Sequence, residues 1–120
     1  MRSREAGMVT AEFAVAMPVL IAVLALVMAA MGLALDQVRC VDAARAGARL
    51  AARGEPESVV IAEAARLAPT GSQVHLRGGA VLTVQVTAPP PLAVLGRIPQ
   101  IPRARASASL PAEAVLGAGP

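Results

Sequence analysis

An apolar run from Phe13 to Leu35 constrains this chain more than any other feature of its sequence. At about 1.5 Å per residue, a helix of about 23 residues spans a hydrocarbon core of roughly 30 Å. The run therefore predicts that the chain starts in a membrane. Glu12 lies at its mouth, and an ionisable residue at the edge of a spanning helix is costly enough to count as a functional candidate.

With 120 residues in all, what remains after that helix can form only one small domain. Its apolar core is marginal without a partner, so assembly with other chains is expected. The hydrophobic fraction of 56% and mean hydropathy of +0.62 exceed ordinary globular usage. One Phe and no Trp or Tyr leave no aromatic platform for stacking bases, so no nucleic-acid partner is expected. The net charge of +3 comes from arginines spread along the chain. They read as solvated helix faces and ion pairs, with lipid headgroups or a partner as the alternative.

Cys40 is the single cysteine, which excludes an intramolecular disulfide. It reads as a small packing residue, with intermolecular pairing as the alternative. His75 is the one histidine and cannot build a metal site alone, so it reads as a strand residue. The sequence shows no nucleophile with a base, no paired carboxylates outside helix faces, no phosphate-cradling glycine loop and no ligand cluster. No enzyme activity, catalytic residue, cofactor or metal is expected.

Residues 1–7, with Arg2, Arg4 and Glu5, read as a short polar leader rather than a folded element. A secretory signal is the obvious rival, but its apolar core is usually about 7 to 15 residues, and Glu12 and Pro18 would lie inside it. A small-x-small site at Gly32-Leu33-Ala34 keeps cleavage there as an alternative. Arg2 and Arg4 precede the span while Arg39, Arg45, Arg49 and Arg53 follow it, so charge leaves the orientation open.

Beyond Asp36 the pattern stays helical and turns amphipathic. Val38, Val41, Ala44, Ala48 and Ala51 or Ala52 form the apolar stripe, and Arg45, Arg49 and Arg53 lie on another. Asp36 with Arg39 and Asp42 with Arg45 are candidate ion pairs, and Gly54 is a natural C-terminal cap. Pro56 fits the first turn of a second helix over about Glu57 to Leu67, ended by Pro69 and Thr70-Gly71-Ser72. The period then becomes two. Gln73 to Arg77 and Ala80 to Ala88 flank Gly78-Gly79 as a hairpin, Leu92 to Pro102 is an irregular connection, and Ala104 to Leu110 is a weaker third strand. The fold class expected is α+β: a long N-terminal transmembrane helix continuing outside the membrane, a short second helix and a small antiparallel sheet.

The string Gly7-Met8-Val9-Thr10-Ala11-Glu12-Phe13 resembles the processing site of type IV prepilins. There a membrane peptidase cuts after the glycine, and glutamate is the fifth residue of the product. Extended through Ala14-Val15-Ala16-Met17-Pro18, and joined to the stretch Asp42-Ala43-Ala44-Arg45-Ala46-Gly47-Ala48-Arg49, it is similar to the TadE-like minor pilins or pseudopilins of tight-adherence (Flp-type) pilus systems. The resemblance covers about the first 50 residues. It departs from the pattern at Glu5-Ala6, where a lysine or arginine often stands before the glycine. Phe13 replaces the Tyr that often follows Glu in major subunits, which favours a minor component.

Residue pattern and resemblance together lead to four expected regions: a leader at 1–7, a transmembrane and extended helix at 8–53, a small extracytoplasmic domain at 54–110 and a disordered tail at 111–120. The resemblance itself bears on the first of these. It makes Gly7 and Met8 the processing site of a prepilin peptidase, and Glu12, Phe13 and Pro18 assembly residues. Glycine suits a cut that requires close approach, having no side chain to obstruct it. Cleavage would free an amine at Met8, and Glu12 would meet that amine on a neighbouring subunit. A buried charge costs several kcal/mol unless paired, so such a pair would set the register of insertion. The competing reading leaves Glu12 solvated at headgroup level. Pro18 either helps the helix loosen for packing into a filament or is a plain tolerated kink. The implied function is that of a structural subunit or assembly factor of a type IV (tight-adherence) pilus or related secretion apparatus. Its implied partners are the peptidase, other pilin or pseudopilin subunits, the assembly machinery and membrane lipid. Two alternatives are a single-pass anchored protein with a partner-binding outer domain, and a small domain secreted after signal removal.

Overall fold

A computed structural model describes residues 2–79, 81–90 and 102–111. It contains helix α1 at Arg2–Ala52, helix α2 at Glu57–Leu67, and strands β1 at Gln73–Arg77, β2 at Val81–Thr87 and β3 at Arg105–Pro111. This is the expected α+β order. Contacts divide the chain into two units, residues 1–32 and residues 33–120.

The first unit is helical from Arg2 onward, so the expected irregular leader is instead the opening of α1. Arg2, Ser3, Arg4, Glu5 and Ala6 include no helix breaker, and Gly7 costs a helix only about 1 kcal/mol relative to alanine. The helix also continues through Pro18. No residue from Gly7 to Met31 is buried, and the helix is long and apolar enough to cross a membrane.

The second unit is built around the C-terminal part of α1. Its buried stripe is Cys40, Ala43, Ala44, Gly47, Ala48 and Ala51, which keeps Ala44, Ala48 and Ala51 of the expected one but not Val38, which is 58% exposed. The smallest side chains face the sheet because the sheet comes too close for larger ones. A Cβ on Gly47 would lie 3.1 Å from Val84 Cγ1 and 3.3 Å from Ala64 Cβ. The expected ion pairs Asp36–Arg39 and Asp42–Arg45 are not formed. Among the described residues the ion pair is Glu63–Arg66, at 2.6 Å on the exposed side of α2.

α1 ends as glycine-capped helices do. Gly54 has φ of 76°, Gly54 N–H donates to Ala51 O at 3.0 Å, and Glu55 N–H donates to Leu50 O at 3.3 Å. This pairing satisfies carbonyls the helix would otherwise leave open. Pro56 then stands at the cap of α2 rather than in its first turn. Its carbonyl accepts from Val59 N–H at 2.9 Å and Val60 N–H at 3.1 Å. The turn after α2 closes with Ser72 N–H on Pro69 O at 3.0 Å. Gly71 supplies the positive φ of 80° that this turn requires.

The strands form an antiparallel meander in the order β1-β2-β3. Leu76 pairs with Val84, and Val84 with Ala108, so the even-numbered positions share one face. Val84, Val86, Ala88 and Ala104 are fully buried there against Cys40, Ala43, Ala44, Ala48 and Val60. The opposite face carries Gln73, His75, Arg77, Thr83, Gln85, Thr87, Arg105, Ser107 and Ser109. This division is the mark of an antiparallel sheet with one face wet. Pro111 pairs with Val81 inside β3, one residue past the expected strand and inside the expected tail. A proline is tolerated at a strand end on a sheet edge. The rest of that tail, and residues 92–101 of the expected connection, lie outside the described residues.

Candidate functional site

The five residues singled out in the sequence all lie on α1 within the first unit. Met8 and Glu12 are four apart and so share a helix face, one turn above the other. Met8 is 75% and Phe13 65% exposed, and Gly7, Glu12 and Pro18 are exposed as well. A Cβ on Gly7 would meet no heavy atom within 4 Å. Within the first unit none of these five residues is buried.

In the second unit, Cys40 is fully buried, with Sγ 3.8 Å from the Ala104 carbonyl it donates to. Burial pushes the thiol pKa up from its ordinary value. The backbone hydrogen bond at Ala88 opposes this, and the Asp36 charge adds to it. The thiol is thus a packing group with little nucleophilic character. The Arg66 guanidinium, hydrogen-bonded to Glu63, holds that carboxyl below its usual range. His75 is an exposed residue of β1 opposite Gln85. Among the described residues no group of three or more His, Cys, Asp or Glu could hold a metal ion.

Two residues with clear work in the structure were not singled out as such. Gln37 reaches the backbone of Arg105, and Gly47 sets the distance between α1 and the sheet. The run of small residues from Ala43 to Ala48 was the available signal for Gly47. Nothing local marks Gln37.

Comparison with known proteins agrees with the resemblance read from the sequence. The family described as TadE-like protein matches residues 7–49, so the segment holding Gly7, Met8, Glu12, Phe13 and Pro18 is TadE-like. A curated relative from Mycobacterium tuberculosis (strain ATCC 25618 / H37Rv), the apoptosis inhibitor Rv3655c, is 45% identical over 80 residues. The alignment covers 64% of this chain and 62% of the relative, so the chain spans less than two thirds of that protein. No solved structure matches.

Proposed function

We propose that this chain is a non-enzymatic, pilin-like subunit or assembly factor of a tight-adherence pilus or related apparatus, anchored by one membrane span with its sheet domain outside the cytoplasm. The observation that carries this reading is Gly7 placed five residues ahead of Glu12 at the start of an apolar stretch that is exposed from Gly7 to Met28, in a segment that matches the TadE-like family. A prepilin peptidase acts between Gly7 and Met8. Gly7 is the poorest helix former near the cut, so it is where α1 opens at least cost. The new amine of Met8 then pairs with Glu12 of a neighbouring subunit, Phe13 packs beside it, and Pro18 leaves one backbone carbonyl free for local adjustment. Sequencing the mature N-terminus tests the reading. A start at Met8 supports it, whereas an intact Met1 supports a plain anchor and a start near Leu35 a secreted domain.

A second reading draws on the curated relative, whose name describes an apoptosis inhibitor. Under it, the second unit carries that activity in this chain too. Expression of residues 33–120 in cells given an apoptotic stimulus would then lower caspase activation, and unchanged activation would remove this reading.

A further inference from the structure

Hydrogen-bond phase in the β2–β3 ladder shows which backbone groups of β3 face the open edge. Ala88 N–H donates to Ala104 O at 2.9 Å. In an antiparallel ladder, hydrogen-bonded pairs alternate with non-bonded ones. Ala106–Val86, Ala108–Val84 and Leu110–Leu82 are therefore the bonded pairs of β3 with β2. The backbone groups of Arg105, Ser107, Ser109 and Pro111 consequently point away from the sheet. Those of Arg105 are taken by Gln37, and Pro111 has no N–H. Ser107 and Ser109 are left with two N–H and two C=O groups on an open edge, unmatched among the described residues.

That stretch of edge is bordered by charge. An open groove between α1 and β3 is lined by Arg45, Ala48, Arg49, Ala52 and Ala108 to Leu110. Arg45 and Arg49 are exposed, and no carboxylate pairs with either among the described residues. A strand added beside β3 would send the side chains opposite Ala106, Ala108 and Leu110 to the α1 side, where the two guanidinium groups stand. Its intervening side chains would join the polar face of Ser107 and Ser109. The small side chains of Ala48 and Ala52 leave room in the groove for a backbone to approach. A second copy of this chain fits poorly, because antiparallel pairing centred on this stretch would bring Arg45 and Arg49 of both copies to one edge.

We propose that the β3 edge from Ser107 to Ser109 is a strand-addition site for an extended segment of a partner protein with acidic residues at alternate positions. Backbone hydrogen bonds would supply the pairing, and Arg45 and Arg49 the choice of partner. The site is independent of whether Gly7 is processed.

The test uses the full chain in detergent micelles, followed by amide NMR, with a capped alternating Val-Glu hexapeptide as probe and its Val-Lys counterpart as control. Saturable shifts at the Ser107 and Ser109 amides with Val-Glu, and none with Val-Lys, support the site. Arg45→Glu with Arg49→Glu lie on an exposed face, so the fold is expected to persist. They are expected to weaken Val-Glu binding about tenfold and to admit Val-Lys. Equal response to both peptides, or no response, overturns the proposal. So does slow hydrogen exchange at Ser107 and Ser109 without peptide, which would mean that this chain's own residues or a second copy already cover the edge.

Discussion

The side-chain amide of Gln37 closes on the backbone of Arg105 in both directions. Nε2 donates to the carbonyl at 2.7 Å and Oε1 accepts the N–H at 3.0 Å. A residue of a helix thus occupies one rung of an open sheet edge, where a strand would otherwise pair. Gln37→Ala removes both bonds while leaving the exposed groups to water, so a loss of about 1–2 kcal/mol is expected. Urea unfolding reads the loss, and faster hydrogen exchange at Arg105 locates it. An unchanged midpoint would mean that the two bonds merely replace equivalent ones to solvent.

Gly47 lies where α1, α2 and β2 converge. Gly47→Leu forces a branched side chain against Val84, Val60 and Ala64 and is expected to cost about 1–3 kcal/mol through overpacking. Gly47→Ala should be far milder, because a shift of a few tenths of an ångström is offset by about 1 kcal/mol of helix propensity. Equal thermal midpoints for the leucine variant and wild type would show that α1 can lift off the sheet without loss.

Cys40 predicts a pH dependence with a definite sign. Its pKa is raised in the folded chain, so the unfolded thiol gives up its proton first. The associated stability is complete below the ordinary thiol value, about 8.5, and falls as pH rises through it toward the raised folded value. The stability difference between wild type and Cys40→Ala should therefore narrow or reverse at high pH. Iodoacetamide at pH 8 should label Cys40 only on unfolding, and rapid labelling of the folded chain would contradict the burial argument.

Gly7→Val is expected to block maturation, since it adds a branched side chain where a peptidase needs close access. The variant should insert and fold normally, because nothing lies within 4 Å of the added Cβ. Mobility on a gel with the cognate peptidase present reads the outcome. Undiminished cleavage counts against the site, and Gly7→Ala should be less affected.

Glu12→Ala separates assembly from processing. Alanine keeps a good membrane helix, so the span should insert and Gly7 should still be cut. Incorporation into sheared surface fibres, or support of their assembly, should fall. Wild-type incorporation would leave Glu12 as a headgroup-level residue with no pairing role.

Elements closed by local signals were readable. Helix α2 matches its expected bounds at Glu57–Leu67, because Pro56 and Pro69 frame it. β1 matches at Gln73–Arg77, and β2 and β3 fall within a residue of expectation. The helix start was not readable, since a polar composition at Arg2 to Glu5 does not forbid helix. The buried stripe of α1 holds Ala44, Ala48 and Ala51 as expected but departs at Val38, because alanine-rich sequence allows several apolar faces. Contact with Val84 and Val86 chooses the face through Cys40 and Gly47. Gln37 and Arg105 are 68 residues apart in sequence, so their contact follows only from the assembled fold. At the N-terminus, the Gly7 to Glu12 spacing is read from the chain alone, and the structure adds only that both residues are exposed.

The wall that covers Val84 and Val86 belongs to the same helix as the apolar run, and this fixes where the domain could be separated from that run. A cut after Ala34 would keep Gln37, Cys40 and Ala44, and with them the edge clamp and most of the sheet's cover. A cut past Gly47 would strip α1 from the buried face and leave a bare apolar sheet flanked by a single short helix. A fragment that keeps the buried face of the sheet covered must therefore carry the stretch from Gln37 to Ala51, which continues the long N-terminal helix.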